Sequence, residues 1–214
     1  MTRPRLLGTL SAVLVAAGIG CIAVPLVWSL HTARSVAPAQ AEALAAWEDV
    51  VREGLAAEGE TSHPAAAASG LRETSRAAPL WLSIPRLRLT RLIPEGASAG
   101  HLRRFGAGRI SWTSLPDGPG IVGIAGHRTT YGAPFFRLGV LRTGDRIVLA
   151  YRGRTYEYTV TQRRIVRPDE VDVLRSATGE RMVALVTCTP FYSAKYRLVV
   201  FARLQAVSFS PLPP

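Results

Sequence analysis

The chain has 214 residues, of which 48% are hydrophobic and 7% aromatic, so it can bury at least one sizeable core. Disorder throughout and a collagen-like architecture are excluded, because 19 Gly and 15 Pro are close to average usage and follow no period. Two cysteines cannot build a disulfide framework, and no paired Cys/His spacing predicts a structural zinc site. The net charge of +11 comes from 26 Lys+Arg against 15 Asp+Glu.

The first long feature is an apolar segment of 25 residues, from Leu6 to Leu30, without a charged side chain. A helix needs about 20 apolar residues to cross a bilayer, whereas a signal peptide has an apolar core of about 7 to 15. We therefore predict a transmembrane helix over 6–30. A cleaved signal or a lipoprotein site at Gly20 and Cys21 remains the alternative, although the apolar run continues well beyond that cysteine.

The orientation of this anchor follows from the two arginines that precede it, Arg3 and Arg5. Positive charge is enriched on the cytoplasmic side of membrane helices. The sequence thus predicts a single-pass protein of the cell membrane with a cytoplasmic tail at 1–5 and an extracellular remainder.

Residues 31–79 have the composition of a stalk or linker, with much Ala and a surplus of acidic side chains. Apolar residues recur on one face of a possible helix between Ala39 and Ala57, which predicts a short amphipathic helix. Thr61 to Ala78 has no period and is predicted to be a flexible linker.

Short β-rich runs separated by Gly, Pro and Asp begin at residue 80. Seven or eight strands without long intervening helices favour an all-β fold, a closed or nearly closed β-barrel over 80–207 with a C-terminal tail at 208–214. Tyr131 to Leu141 is predicted to be the main short helix, and Arg152 to Arg154 a hairpin turn. The predicted strands are Trp81–Ile84, Arg86–Ile93, Ile121–Ala125, Arg146–Arg152, Thr155–Val166, Met182–Cys188 and Arg197–Leu204.

The positive charge of this domain raises the question of a nucleic-acid partner. Its arginines are scattered along strands and turns instead of being gathered on one helix, and the predicted topology puts the domain outside the cell. We therefore predict no nucleic-acid binding, and instead a solvated basic face near anionic lipids or wall polymers.

Cys188 is the one cysteine of the predicted outer domain, since Cys21 lies in the apolar segment. Met182 to Val186 is typical of a core strand, and Pro190 must end it because proline cannot continue a strand ladder. The thiol is therefore expected at a barrel rim, where reactive groups are presented. An inert, buried cysteine is the alternative, because free cysteines are often core residues.

A reactive thiol needs a base or a cation beside it. His127 closes the glycine-containing strand that begins at Ile121, which makes it the candidate acid/base. Arg197 begins the strand after Cys188, nine positions later, and could stabilise an oxyanion with a permanently charged donor.

These residues resemble signatures of the sortase family. Leu185-Val186-Thr187-Cys188 is similar to the sortase TLxTC signature, with Ala184 in place of the first threonine. Ala125 to Phe135 reads AGHRTTYGAPF and resembles a segment of actinobacterial class E sortases, and the strand from Arg197 resembles the one that bears the sortase arginine. The resemblance extends over roughly residues 81 to 204.

The resemblance implies a membrane-anchored cysteine transpeptidase. Cys188 would attack the threonine carbonyl of an LPxTG-like or LAxTG-like sorting signal and form a thioacyl-enzyme, His127 would act as acid and then base, and Arg197 would hold substrate and oxyanion. Thr187 and Tyr131 would bind substrate. The partners would be sorting-signal peptides of secreted surface proteins and a cell-wall peptide amine as acceptor.

No cofactor and no metal are predicted. Asp169, Glu170 and Asp172 could imitate part of a calcium site, but a solvated turn is the favoured interpretation. The competing functions are an L,D-transpeptidase, for which an arginine would be expected where Pro190 stands, and a wall-binding barrel with an inert cysteine. A papain-like or NlpC-like hydrolase would place its cysteine before its histidine, which is the reverse of the order here.

Overall fold

The structure is a computed structural model. It describes residues 14–45 except 16, 22, 25, 29, 33 and 43, together with 80–175 and 179–209. The predicted cytoplasmic tail, the start of the predicted anchor, most of the predicted stalk with its flexible part, and nearly all of the C-terminal tail lie outside these residues.

The domain from residue 80 onward is an eight-stranded sheet with few short helices, which confirms the predicted all-β fold. Strand propensity is high because β-branched and aromatic residues alternate with polar ones, as in Arg154–Val166. The strands are β1 (Leu80–Ile84), β2 (Leu89–Ile93), β3 (Ala107–Arg109), β4 (Gly120–Gly126), β5 (Arg146–Tyr151), β6 (Arg154–Val166), β7 (Arg181–Thr189) and β8 (Tyr196–Phe209).

The helices differ from the predicted ones. Tyr131 to Leu141 holds only the 3-10 helix Leu138–Val140, because Tyr131 and Ala133 both have positive φ and interrupt any helix there. An α-helix that the sequence analysis did not predict, Ala99–Phe105, is capped by the Ser98 hydroxyl, which accepts a hydrogen bond from the His101 N–H. Two further 3-10 helices are Pro85–Leu87 and Val171–Leu174.

The strand order is β2-β1-β5-β6-β8-β7-β4-β3, and every neighbouring pair is antiparallel except the parallel pair β4 and β7. The two outer strands meet where Glu95, just after β2, bridges Arg109 at the end of β3. The Gly96 N–H donates to the Arg109 carbonyl at 3.0 Å, and the Arg109 N–H donates to the Pro94 carbonyl at 2.9 Å. The sheet is therefore a nearly closed barrel.

The Arg109 side chain strengthens this closure. It is only 7% exposed, and its Nε and Nη2 donate to the two Glu95 carboxylate oxygens at 2.6 and 2.7 Å. Its remaining donors reach backbone carbonyls of the loop that follows β3, including those of Ser111 and Thr113. A buried guanidinium with this many acceptors keeps the two edges and the loop together.

Side chains pack on both sides of strand β7. Val183 and Leu185 point into the main core inside the barrel. Ala184 belongs to a second apolar cluster on the outer face, where Met182 and Val186 pack against it. Because successive side chains of a strand alternate between faces, Cys188 lies on the same face as Ala184 and Val186. The members of the outer cluster are Ile121, Val166, Leu174, Ala184, Val199 and Phe201.

The N-terminal helix α1 (Ala17–Glu42) is long and apolar enough to cross a membrane by length and composition. The predicted end of the anchor at residue 30 falls inside it. Its C-terminal part packs on the barrel domain: Val36 and Ala39 are buried, and Gln40 Nε2 donates to the carbonyls of Leu92 and Phe105 at 3.3 and 3.1 Å.

Candidate active site

The pairing of β4 with β7 brings Cys188 and His127 to the same rim of the barrel. The two strands are parallel, with Ala125 opposite Val186, so both run toward the same edge. His127 comes directly after β4, and Cys188 lies near the end of β7. Both residues line one pocket of about 440 Å³. Other lining residues are Val24, Trp28, Arg128, Thr130, Pro190 and Tyr192.

Cys188 is a free, half-buried thiol in the structure. Its partner across the antiparallel pair β7 and β8 is Arg197. Residues that are directly opposite in a sheet place their side chains on the same face, which puts the guanidinium and the thiol on one side. The Arg197 Nη1 donates to the carbonyls of Ala194 and Tyr196 at 2.8 and 3.1 Å, so this arginine also fastens the loop between the two strands.

His127 is held from several sides. The backbone N–H of His127 donates to the Gly106 carbonyl at 2.9 Å, and the Thr130 hydroxyl lies 3.3 Å from the Nδ1 of the His127 ring. Its Nε2 is buried and has no hydrogen-bond partner among the described residues. Burial lowers the pKa of His127, and the positive charge of Arg103 lowers it further. The imidazole is therefore mostly neutral near pH 7.

The glycine before this histidine is required by packing. A Cβ at Gly126 would lie 2.7 Å from the Phe135 ring. Phe135 is fully buried and its N–H donates to the His127 carbonyl at 3.1 Å, so ring and backbone together hold the end of β4. The glycine thus permits the close approach that orients His127.

Arg128 is a site residue that the sequence analysis did not single out. Its Nη1 donates to the Cys188 carbonyl at 3.1 Å, and its guanidinium lies 4.1 Å from the centre of the Phe191 ring. Burial lowers the pKa of Arg128, while the charge of Cys188 acts in the opposite direction. Its position beside His127 in the sequence was the available signal.

The two predicted substrate-binding residues are placed differently. Thr187 is 2% exposed, and its hydroxyl donates to the Gly126 carbonyl at 2.8 Å, so it faces the barrel interior and joins β7 to β4. Tyr131 stacks at a tilt on His127, with 4.8 Å between ring centres. Neither is among the described residues that line the pocket.

The acidic group considered for calcium is paired with arginines. Asp169 and Glu170 lie 3.3 and 3.4 Å from the Arg167 guanidinium, and Asp172 lies 3.1 Å from that of Arg175. These are exposed, local ion pairs in the turn after β6.

The structure is thus a nearly closed β-barrel with a cysteine and a histidine in one pocket at its rim. A family model described as "Sortase domain" matches residues 82–205, which is more than half of the chain. The chain belongs to the sortase family, as its sequence motifs predicted.

The relatives include class E sortases. Sortase SrtE1 of Streptomyces coelicolor is 31% identical over 141 residues, which cover 58% of this chain and 39% of that protein. Sortase A of Streptococcus agalactiae is 27% identical over 130 residues, 58% of this chain and 51% of that protein. The match thus spans about two fifths to one half of these relatives' length.

A crystal structure of sortase E1 from Streptomyces coelicolor, with a tripeptide in the active site, superimposes with a TM-score of 0.57 at 30% identity, covering 61% of this chain and 90% of that one.

Proposed function

We propose that the protein is a cysteine transpeptidase that cuts a peptide sorting signal and transfers its acyl part to an amine. The observation that carries the proposal is the shared rim pocket of Cys188 and His127, with Arg197 opposite the cysteine on the next strand. Membership of the sortase family supports the same activity.

The reaction uses the three side chains in sequence. The Cys188 thiolate attacks a peptide carbonyl, and the Arg197 guanidinium stabilises the negative charge of the tetrahedral intermediate. His127, which has taken the proton of the Cys188 thiol, gives it to the leaving amine as the C–N bond breaks and a thioester forms. Neutral His127 then takes a proton from the incoming amine, which attacks the thioester and releases the thiol.

The Thr130 hydroxyl lies beside Nδ1 of His127, whereas the buried Nε2 has no hydrogen-bond partner among the described residues. Nε2 is therefore the ring nitrogen available for proton transfer, which supports this role. A low pKa leaves the imidazole neutral near pH 7 and ready to accept a proton from the acceptor amine.

The proposed substrate is an LPxTG-like or LAxTG-like signal on a secreted surface protein, and the proposed acceptor is a cell-wall peptide amine. Val186, which is half-buried on the same face of β7 as Cys188, offers an apolar contact for an extended peptide. A Clostridium perfringens sortase C structure, 28% identical with a TM-score of 0.55 and covering 59% of this chain and 69% of that one, contains a C-terminal cell wall sorting motif. Thr187 and Tyr131 contribute indirectly to substrate binding. Thr187 fixes the position of β7 through its hydrogen bond to Gly126, and Tyr131 packs on the His127 ring.

The proposed location is the cell membrane, with one span and the barrel outside. Helix α1 supports the span, and Arg3 and Arg5 support a cytoplasmic N-terminus.

The test uses the full chain in detergent with a fluorogenic LAxTG-type peptide, with and without an amine acceptor, and a methanethiosulfonate reagent. We expect labelling at Cys188, peptide cleavage, and an acceptor-linked product. Cys188→Ala should abolish all three, whereas the matched variant Cys21→Ala should retain them. A chain that is neither labelled at Cys188 nor active would favour the wall-binding alternative, and labelling with no activity on this peptide would favour another wall-directed cysteine enzyme.

A further inference from the structure

We propose that Arg128 is a positioning residue for Cys188, which fixes the end of β7 and keeps a permanent positive charge beside the thiol. The inference rests on the proposed function, because it concerns the cysteine that this function uses. It adds a second arginine to the site, with a task different from that of Arg197.

The contacts of Arg128 join three separate parts of the site. It follows His127 directly, its Nη1 donates to the Cys188 carbonyl at 3.1 Å, and its guanidinium lies over Phe191 in the loop after β7. Phe191 in turn contacts Phe136, with 5.1 Å between ring centres. The guanidinium thus links the histidine loop to the backbone of the cysteine and to the loop that follows it.

Arg128 is packed against its neighbours. A Cβ at Gly139 would be in van der Waals contact with the Arg128 Nη2, at 3.4 Å. The Arg128 Nε is buried and has no hydrogen-bond partner among the described residues. A side chain held in this way gives a fixed charge instead of a mobile one.

The charge of Arg128 acts on the cysteine as well as on the backbone. The 3.1 Å contact of the Arg128 Nη1 with the Cys188 carbonyl keeps the guanidinium beside the residue that carries the thiol. A nearby cation favours the thiolate form of a cysteine, and the thiolate is the nucleophile. Arg197, by contrast, uses its Nη1 to hold two loop carbonyls.

Arginine suits this place better than lysine. Its planar guanidinium can stack on the Phe191 ring while an N–H in the same plane donates to a carbonyl. A lysine would keep the charge and lose the combination of stacking and hydrogen bonding. The two tasks can therefore be separated by substitution.

The first measurement is the pH dependence of Cys188 alkylation by iodoacetamide in the full chain, quantified for the Cys188 peptide by mass spectrometry so that Cys21 does not interfere. The groups that titrate or carry charge around the pocket are His127, Arg128, Arg197, Tyr192, and Arg103, which acts on His127. In Arg128→Gln we expect the alkylation rate of Cys188 at pH 7 to fall about tenfold.

The matched control is Arg154→Gln. Arg154 also stacks on a phenylalanine, Phe209 at 4.9 Å, but at the far end of the β6 and β8 pair. It should leave the alkylation curve unchanged. An Arg128→Gln curve that superimposes on that of the unsubstituted chain would overturn the charge part of the inference.

Arg128→Lys provides the second variant, which also serves if the glutamine variant fails to fold. We expect an alkylation rate at pH 7 near that of the unsubstituted chain but peptide turnover reduced about tenfold, because the charge remains and the positioning contacts are lost. Full turnover in the lysine variant would contradict the positioning role. Alkylation does not require a substrate, so a chain that fails to cleave the peptide would refute the proposed function without deciding the role of Arg128.

Discussion

Cys188 on β7 and Arg197 on β8 are directly opposite each other in the antiparallel pair, although nine positions separate them in the chain. The loop between them is fastened by the arginine itself, through the carbonyls of Ala194 and Tyr196. One side chain therefore has two tasks in the proposed reaction: it holds the loop beside the thiol and stabilises the charge that forms there.

Replacing Arg197 by alanine should lower kcat/KM for the peptide by about 10²- to 10³-fold, as expected for loss of an oxyanion donor. Arg197→Lys should be intermediate, because it keeps a charge without the planar set of donors. Steady-state kinetics with the fluorogenic peptide measures both. Arg203→Ala is the control, since it removes a β8 arginine that pairs with Glu180 on the surface. An Arg197→Ala variant with a near-normal rate would refute the assigned role.

The lowered pKa of His127 predicts a pH dependence of stability. As the pH falls, the unfolded chain takes up a proton on this histidine near pH 6.5. The folded chain takes it up only at a lower pH, because burial disfavours the charged imidazole. The stabilising contribution is complete above about pH 6.5 and decreases as the pH falls toward the lower folded pKa. Urea unfolding of the full chain at pH 8 and pH 5 should thus show a larger loss of stability than the same comparison in His127→Gln.

His101 also has a pKa lowered by burial, and its contribution has the same sign. It is present in both chains and cancels in the difference between them. Equal pH dependence in the unsubstituted chain and in His127→Gln would show that the folded state does not disfavour the charged imidazole.

The sequence was sufficient to predict the barrel and to name two residues of the rim pocket, Cys188 and His127. Strands such as β4 and β7 carry continuous apolar runs, and Pro190 marks where β7 must stop. Cys188 and His127 could be paired in advance because a reactive thiol needs a neighbouring base, and the family motifs indicated the same pair.

Other features depend on contacts between distant segments. Arg86 to Ile93 alternates like one strand, but Arg88 adopts φ of 52° after a 3-10 turn, and β2 begins only at Leu89. Arg109 pairs with Glu95 to close the barrel, and no local sequence pattern indicates that these two residues are partners. Thr187 stands beside the cysteine in the sequence, yet strand alternation turns it into the barrel.

The closing ion pair predicts a large effect on stability. Arg109→Lys leaves several buried acceptors without donors, so the free energy of unfolding should fall by about 2 to 4 kcal/mol. Arg146→Lys is the matched control, because Arg146 pairs with Glu157 at 2.9 Å on the exposed surface and should cost less than about 1 kcal/mol. Urea denaturation compares the two. Similar losses in both variants would contradict a special role for Arg109 in holding β2 to β3.

A substitution at Thr187 tests whether this residue has a structural role or the substrate-binding role that the sequence analysis predicted. Valine has the same shape but no hydroxyl, so Thr187→Val removes the 2.8 Å hydrogen bond to the Gly126 carbonyl in a buried position. The free energy of unfolding should fall by about 1 to 3 kcal/mol, with kcat reduced because Gly126 directly precedes His127. Thr159→Val is the control, since the Thr159 hydroxyl has no hydrogen-bond partner among the described residues and the strand position is half-buried. If Thr187 instead contacted the peptide, the substitution would raise KM and leave the unfolding free energy unchanged, which urea denaturation and peptide kinetics on the same variant would distinguish.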